Sequence, residues 1–246
     1  MITTGEVYPA ALNAATKTVL NPSAYWSGWD IARGLAGAGA DSGVRSVVIG
    51  GVIQNVRYSR QQYALSCEAA ALEMALSHEG IFAGQSQLLS SMTVDGRAGY
   101  YDGYGTLHWG DPYVNFVGNP NGSEVDLTGY GTYYSTVARI AKAMGGHVVD
   151  SGTGVSPQQL YADVLAGHPV VAWITSDWSH RGTSYWRAFD GRRVPWAGPA
   201  EHAVAVVGVS SSAVYVYNPV SGAQWVSRKT FEGAYSTYSD MVVVIS

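Results

Sequence analysis

The chain has 246 residues, 47% of them apolar and 13% charged, with 30 Gly, 17 Tyr and 8 Trp; such a chain folds as one large domain or two closely packed lobes whose core needs no disulfide or metal. Its net charge of −4, with no basic run longer than Arg192-Arg193, excludes an electrostatic footprint for nucleic acid. Apolar runs such as Pro169–Ile174 and Ala203–Val209 are far shorter than the roughly 20 residues that cross a bilayer.

Before about residue 43, Pro9, Pro22 and the Gly-Ala run at Gly34–Ala40 interrupt any long period, and this part reads as an N-terminal extension or cap. Trp26 and Trp29 suit one helical face packed on the body of the protein. The segment from Val44 to Tyr58, rich in β-branched residues and broken by Gly50-Gly51, predicts two short strands that open the main domain, residues 44–246. Ser66 is placed to cap a helix with Ala70, Ala71, Met74 and Ala75 on its apolar positions and Gly80 as its stop, so that Cys67 falls in the first turn.

Between Asp95 and Tyr134 a Gly-, Tyr- and Asn-rich tract lacks periodicity and reads as a functional loop system. Its aromatics, Tyr100, Tyr101, Tyr104, Trp109 and Tyr113, either line a cleft or cover the core. Val137, Ile140, Ala141 and Met144 trace a second helix ending at Gly145, and Ser156-Pro157-Gln158-Gln159 starts a third that ends near Gly167. The Val-rich stretches Val170–Ile174, Ala203–Val209, Ala213–Tyr217 and Met241–Ile245 predict a mixed antiparallel sheet in the second half.

A lone cysteine is by default a small buried hydrophobe. At a helix N-terminus, however, unpaired N–H groups and the macrodipole favour the nucleophilic thiolate, although the charge of Glu68 opposes ionisation. A nucleophile also needs a base and a group that fixes the tautomer of that base. His78 shares the helix of Cys67 but sits roughly 16 Å along its axis. His147 and His168 adjoin helix exits, and His108 and His180 sit in Trp-containing loops. His202 differs because a Ser210-Ser211-Ser212 turn would place it directly opposite Asn218 in a hairpin, within reach of an amide oxygen. Glu201 should face away from the side chain of His202. Gln61, six residues before Cys67, is the candidate oxyanion donor, with Gln62 as its neighbour.

Gln61 to Leu72, Glu201 to Gly208, Tyr217-Asn218-Pro219 and the central segments Asp111 to Gly122 and Thr128 to Gly131 together resemble the bacterial papain-like peptidases related to bacteriocin leader-processing enzymes, the cysteine peptidase family 39-like proteins. Coverage of the resemblance runs from about Val56 to Asn218. It implies an α+β papain-like fold, with a helix carrying the cysteine packed against an antiparallel sheet that carries His and Asn. It further implies a nucleophile at Cys67, a base at His202, an orienting residue at Asn218 and an oxyanion donor at Gln61. Glu68 stands where a Gly often follows the nucleophile, and Asn218 where Asp is commoner. Because Asn supplies no charge to imidazolium, activity is expected to depend on the thiolate–imidazolium pair itself.

The expected function is peptide-bond hydrolysis through a thioester, on a peptide or protein substrate, with no cofactor and no metal. Acyl transfer or cell-wall amide cleavage at the same Cys-His-Asn site, and a non-catalytic peptide-binding module in which Glu68 keeps the thiol protonated, are the alternatives. The single Cys leaves the compartment open. The opening residues carry no signal-like run, while low charge with abundant Tyr, Thr, Ser and Gly leans towards an extracellular or cell-surface location.

Overall fold

The computed structural model describes residues 50–246; the extension over residues 1–43, the Trp26 and Trp29 face and the expected strand before Gly50 lie outside them. In chain order the elements are β1 (Gly51–Val52), α1 (Cys67–His78), α2 (Gln85–Ser90), β2 (Val94–Asp95), β3 (Tyr100–Tyr101), β4 (Leu107–Trp109), β5 (Phe116–Gly118) and β6 (Gly129–Gly131). There follow α3 (Tyr134–Ala143), β7 (Val148–Gly152), α4 (Pro157–Leu165), β8 (Val170–Thr175), β9 (Ser184–Ala188), β10 (Arg193–Trp196), β11 (Glu201–Val209), β12 (Ala213–Asn218), β13 (Gly222–Ser227), α5 (Arg228–Ser236) and β14 (Val242–Ile245). This is an α+β fold, and no helix among the described residues is long and apolar enough to cross a membrane.

The main sheet has seven strands in the order β13-β12-β11-β8-β14-β7, with β1 paired to the far end of β11. All of its pairings are antiparallel. Every residue of β8, β11 and β14 is buried, which explains why these strands read as continuous Val-rich runs and not as alternations. A strand covered on both faces has no solvent side to keep polar. Both α1 and α4 pack on β8 and β11. Helix α1 is itself apolar nearly all round, as befits a helix sunk in the core, and its Ala69-Ala70-Ala71 run lets the sheet come close.

The helix boundaries follow the punctuation in the sequence. Ser156 caps α4 by accepting from the Gln159 N–H, and Gly145 and Gly167 take positive φ just past α3 and α4. Ser66 departs from its expected role: it precedes α1 but makes no capping bond. Its φ of −114° and ψ of 24° are not the extended geometry of a capping residue, and its hydroxyl turns instead to Gln85 Oε1 at 3.0 Å.

The tract from Asp95 to Tyr134 is less irregular than its composition indicates. Five short strands cross it, and they fall into two small sheets, β2-β5-β6 and β10-β9-β4-β3. Of its aromatics, Trp109 is fully buried in the core, whereas Tyr100, Tyr101 and Tyr104 are 53, 58 and 97% exposed.

The loop that leads into α1 is held by one buried side chain. Gln85 Oε1 accepts from the Gln62 N–H and the Ser66 hydroxyl, while Nε2 donates to Arg60 O and Glu73 Oε2. With the Ser59 hydroxyl, which also accepts from Nε2 at 3.4 Å, five partners of one amide fix residues 59–66 against α1 and α2. Replacing Gln85 by Ala strands these groups in the interior, where an unsatisfied partner costs about 1–3 kcal/mol; chemical denaturation of Gln85→Ala should show a loss of that order, and an unchanged midpoint would refute the role.

Candidate active site

Cys67 opens α1 and is buried, with 5% of its surface exposed. Its Sγ lies 3.3 Å from Glu68 Oε2 and 3.7 Å from Glu201 Oε2, and the Ala203 N–H also favours its charged form. The helix tip therefore rests on the stretch of β11, Glu201 to Ala203, that carries His202. Burial is the largest influence on the thiol and pushes it well above its ordinary value, followed by the charges of Glu201 and Glu68. The helix terminus favours a thiolate, as expected from sequence, but here desolvation and two carboxylates outweigh it.

His202 is 6% and Asn218 3% exposed. The imidazole Nε2 and Asn218 Oδ1 are 3.0 Å apart, and the same Oδ1 accepts from the Val220 and Ser221 N–H groups at 2.9 and 3.2 Å. Three donors converging on one atom identify it as the amide oxygen. Nε2 must then carry the proton, which leaves Nδ1 as the basic nitrogen. The pair meets by a different route from the one expected. Ala205 pairs with Tyr217 and Val206 with Val216, and a bulge follows at Val207, so His202 and Asn218 are diagonal neighbours and not directly opposed. The hairpin turn centres between Ser211 and Ser212, and the imidazole and amide side chains span the diagonal.

Burial lowers the pKa of His202, and its bond to Asn218 raises it in part. Thiol up and imidazole down both oppose a preformed thiolate–imidazolium pair, contrary to the sequence-based expectation. Among the described residues Sγ makes no hydrogen bond to His202; its side-chain partners are the two carboxylates.

Gln61 sits on the anchored loop, with its N–H donating to Pro219 O just beyond Asn218. Its Nε2 donates to Tyr63 O at 3.0 Å and Ala64 O at 2.9 Å, the backbone immediately before Cys67, while its Oε1 is buried without a partner. The side chain is thus held beside the helix entry with both N–H groups engaged. Gln62 contributes its backbone to the Gln85 network.

Sequence reasoning recognised Glu68 beside the thiol but missed Glu201 and Glu124. Alternation along β11 gave reason to set Glu201 aside as an orienter of His202, but its carboxylate reaches Sγ. Glu124 joins from the glycine-rich tract, its Oε2 accepting from the Glu201 N–H at 3.4 Å. Burial pushes Glu68 up to about 7 and Glu124 up to about 8, with the charge of Glu68 adding to the latter, and it raises Glu201 well above the carboxylate range. None of the ion pairs among the described residues reaches these three acids. Glu68 is accommodated because Gly131 opposite it has no Cβ, which would collide with Oε1. The adjacency of Glu68 to Cys67 and of Glu201 to His202 was a visible signal; nothing in its spacing marked Glu124. Of the remaining histidines, His78 bonds Gln54 O, His108 bonds Asp102 and His180 bonds Gly233 O.

The fold has a known counterpart. A solved structure described as a C39-like peptidase from Bacillus anthracis is similar, with 25% sequence identity and a TM-score of 0.67 over 79% of this chain and 96% of that one. No curated protein matches the chain significantly. The family model for peptidase C39-like proteins matches residues 53–243, which include the cysteine helix and the histidine hairpin, and the chain belongs to that family.

Proposed function

We propose that the protein is a cysteine peptidase that hydrolyses peptide bonds through a thioester on Cys67, with His202 as general base and acid, Asn218 orienting the imidazole, and Gln61 helping to bind the oxyanion. The observation that carries this reading is the hydrogen bond from His202 Nε2 to Asn218 Oδ1, because it leaves Nδ1 unprotonated on the strand segment against which Sγ rests. The family and its fold support the same class of chemistry.

With thiol and imidazole both neutral at rest, the thiol proton moves to Nδ1 as sulfur attacks the carbonyl carbon, and the imidazolium then protonates the leaving amine. Water, deprotonated by the same nitrogen, releases the acid. The Cys67 N–H and Gln61 Nε2 would receive the oxyanion, Nε2 exchanging its bond to Ala64 O for the substrate oxygen.

Cys67→Ala should abolish turnover, and Gln61→Ala should lower kcat about 10²-fold or more with little change in KM; steady-state kinetics on a peptide library read both. A Gln61→Ala protein with parental kcat would remove Gln61 from the mechanism. The lowered pKa of His202 gives the pH profile its sign. The base stays unprotonated below the ordinary imidazole value of about 6.5, so kcat/KM should hold at that pH and fall only in more acidic solution. Asn218→Ala removes the bond that raises this pKa, so the acid limb should move to still lower pH while the rate drops about 10²-fold through misorientation. An acid limb that moves upward would contradict this assignment.

One observation favours a second reading. The burial and acidic neighbours that hold the thiol neutral suit a papain-like module that captures peptides without cleaving them. Tight peptide binding that persists in Cys67→Ala, with no cleavage by the parent protein, would establish that reading in place of the first.

A further inference from the structure

Cys67 Sγ, one oxygen of Glu68 and one of Glu201 all lie within 4.8 Å of one another, and all three residues are buried. In a tetrahedral zinc site, with Zn–S about 2.3 Å and Zn–O about 2.0 Å, sulfur and oxygen ligands stand about 3.5 Å apart. Here the two sulfur–oxygen separations are 3.3 and 3.7 Å, bracketing that value. Two further observations point to an occupant. The Glu201 side chain is 95% removed from solvent (5% exposed), its Oε2 faces Sγ, and its Oε1 has no hydrogen-bond partner. Glu68 is oriented by the Thr132 N–H on Oε1 at 2.5 Å, which turns its other oxygen to the sulfur, as an outer hydrogen bond turns a metal ligand.

We propose that Cys67, Glu68 and Glu201 form a binding site for one thiophilic divalent cation, Zn2+ being the defining probe, with the fourth position open to water. A thiolate with two carboxylates matches the donor preference of such a cation, whereas hard cations select all-oxygen cages. As the metal–ligand bonds form, the thiol proton and any proton held by the Glu68 or Glu201 carboxyl leave to solvent, and no electron is transferred. A sulfur bound to metal cannot attack a carbonyl, so the ion acts as a reversible inhibitor; this last consequence rests on the peptidase reading, whereas the site itself does not.

The test uses the full chain freed of metal by chelation. Co2+ should bind with one equivalent and give a near-ultraviolet thiolate-to-cobalt charge-transfer band with the visible spectrum of a tetrahedral ion, and Zn2+ should displace it. Zn2+ should also slow iodoacetamide labelling of Cys67 at least about tenfold. Glu201→Gln keeps shape and thiol but should weaken Zn2+ at least about tenfold, and Cys67→Ser should lose the charge-transfer band; circular dichroism checks that both variants fold. The labelling readout in the parent protein stands even if a variant does not fold. Absence of the charge-transfer band, unimpeded labelling, or parental Zn2+ affinity in folded Glu201→Gln would each overturn the site. Cation binding without any peptide hydrolysis would defeat the peptidase reading alone, and hydrolysis untouched by saturating Zn2+ would defeat the site alone.

Discussion

The seating of the α1 N-terminus on β11 is the contact through which the parts of the site communicate. Helix α1 is buried on nearly every side, so its position is set by apolar packing against β8 and β11, and the first residue of the helix is carried wherever that packing dictates. Cys67 arrives against Glu201 and Ala203. His202 lies between them on β11, and its bond to Asn218 of β12 is held in a hairpin whose strand pairing does not involve α1. Helix and hairpin therefore meet along one seam, and the proposed chemistry needs residues from both.

The same burial makes the site electrostatically unusual. Two carboxylates crowd one thiol and Glu124 lies behind them, without a paired Lys or Arg among the described residues, and low-dielectric surroundings disfavour each charge. The folded protein answers by holding protons that the unfolded chain would have released. For a carboxylate with a raised folded pKa, the folded state binds more protons, so stability declines as pH rises from the ordinary carboxylate range through about 7 for Glu68 and about 8 for Glu124. Such a cluster persists against its own repulsion only through fixed surroundings: the Thr132 N–H on Glu68, the Glu201 N–H on Glu124 and the space left by Gly131.

Much of this was legible in the sequence where local signals are strong. Ser156 with Pro157 starts α4, Gly145 closes α3, and the Ser210–Ser212 turn flanked by Val-rich runs marks the hairpin that brings His202 and Asn218 together. The failures are equally specific. The turn lies at Ser211-Ser212, later than the residue-210 midpoint that opposition of His202 and Asn218 requires; this sets the pair diagonal, and the bulge at Val207, which has no sequence signature, shifts the register by one residue. Gln85, in a short helix without an apolar period, gave no hint that its amide would anchor the loop of Gln61. The alternation rule separated Glu201 from His202, yet it could not say what lay on the other side, because the partner there comes from a helix 134 residues away. Glu124 approaches through tertiary folding of the glycine-rich tract, for which periodicity carries no information.

Proton and metal compete for the same atoms in this arrangement, and that competition links the two roles proposed for Cys67. With a proton on sulfur, the thiol is a poor nucleophile until a bound substrate and the unprotonated Nδ1 of His202 draw that proton away. With a divalent cation on sulfur, the carboxylates that oppose thiolate formation become ligands that stabilise it, since their charge now faces a cation. Glu68 and Glu201 thus have opposite effects on sulfur reactivity depending on what occupies the space between them. A Gly after the cysteine could neither suppress ionisation nor hold a metal, so the departure at Glu68 bears on both.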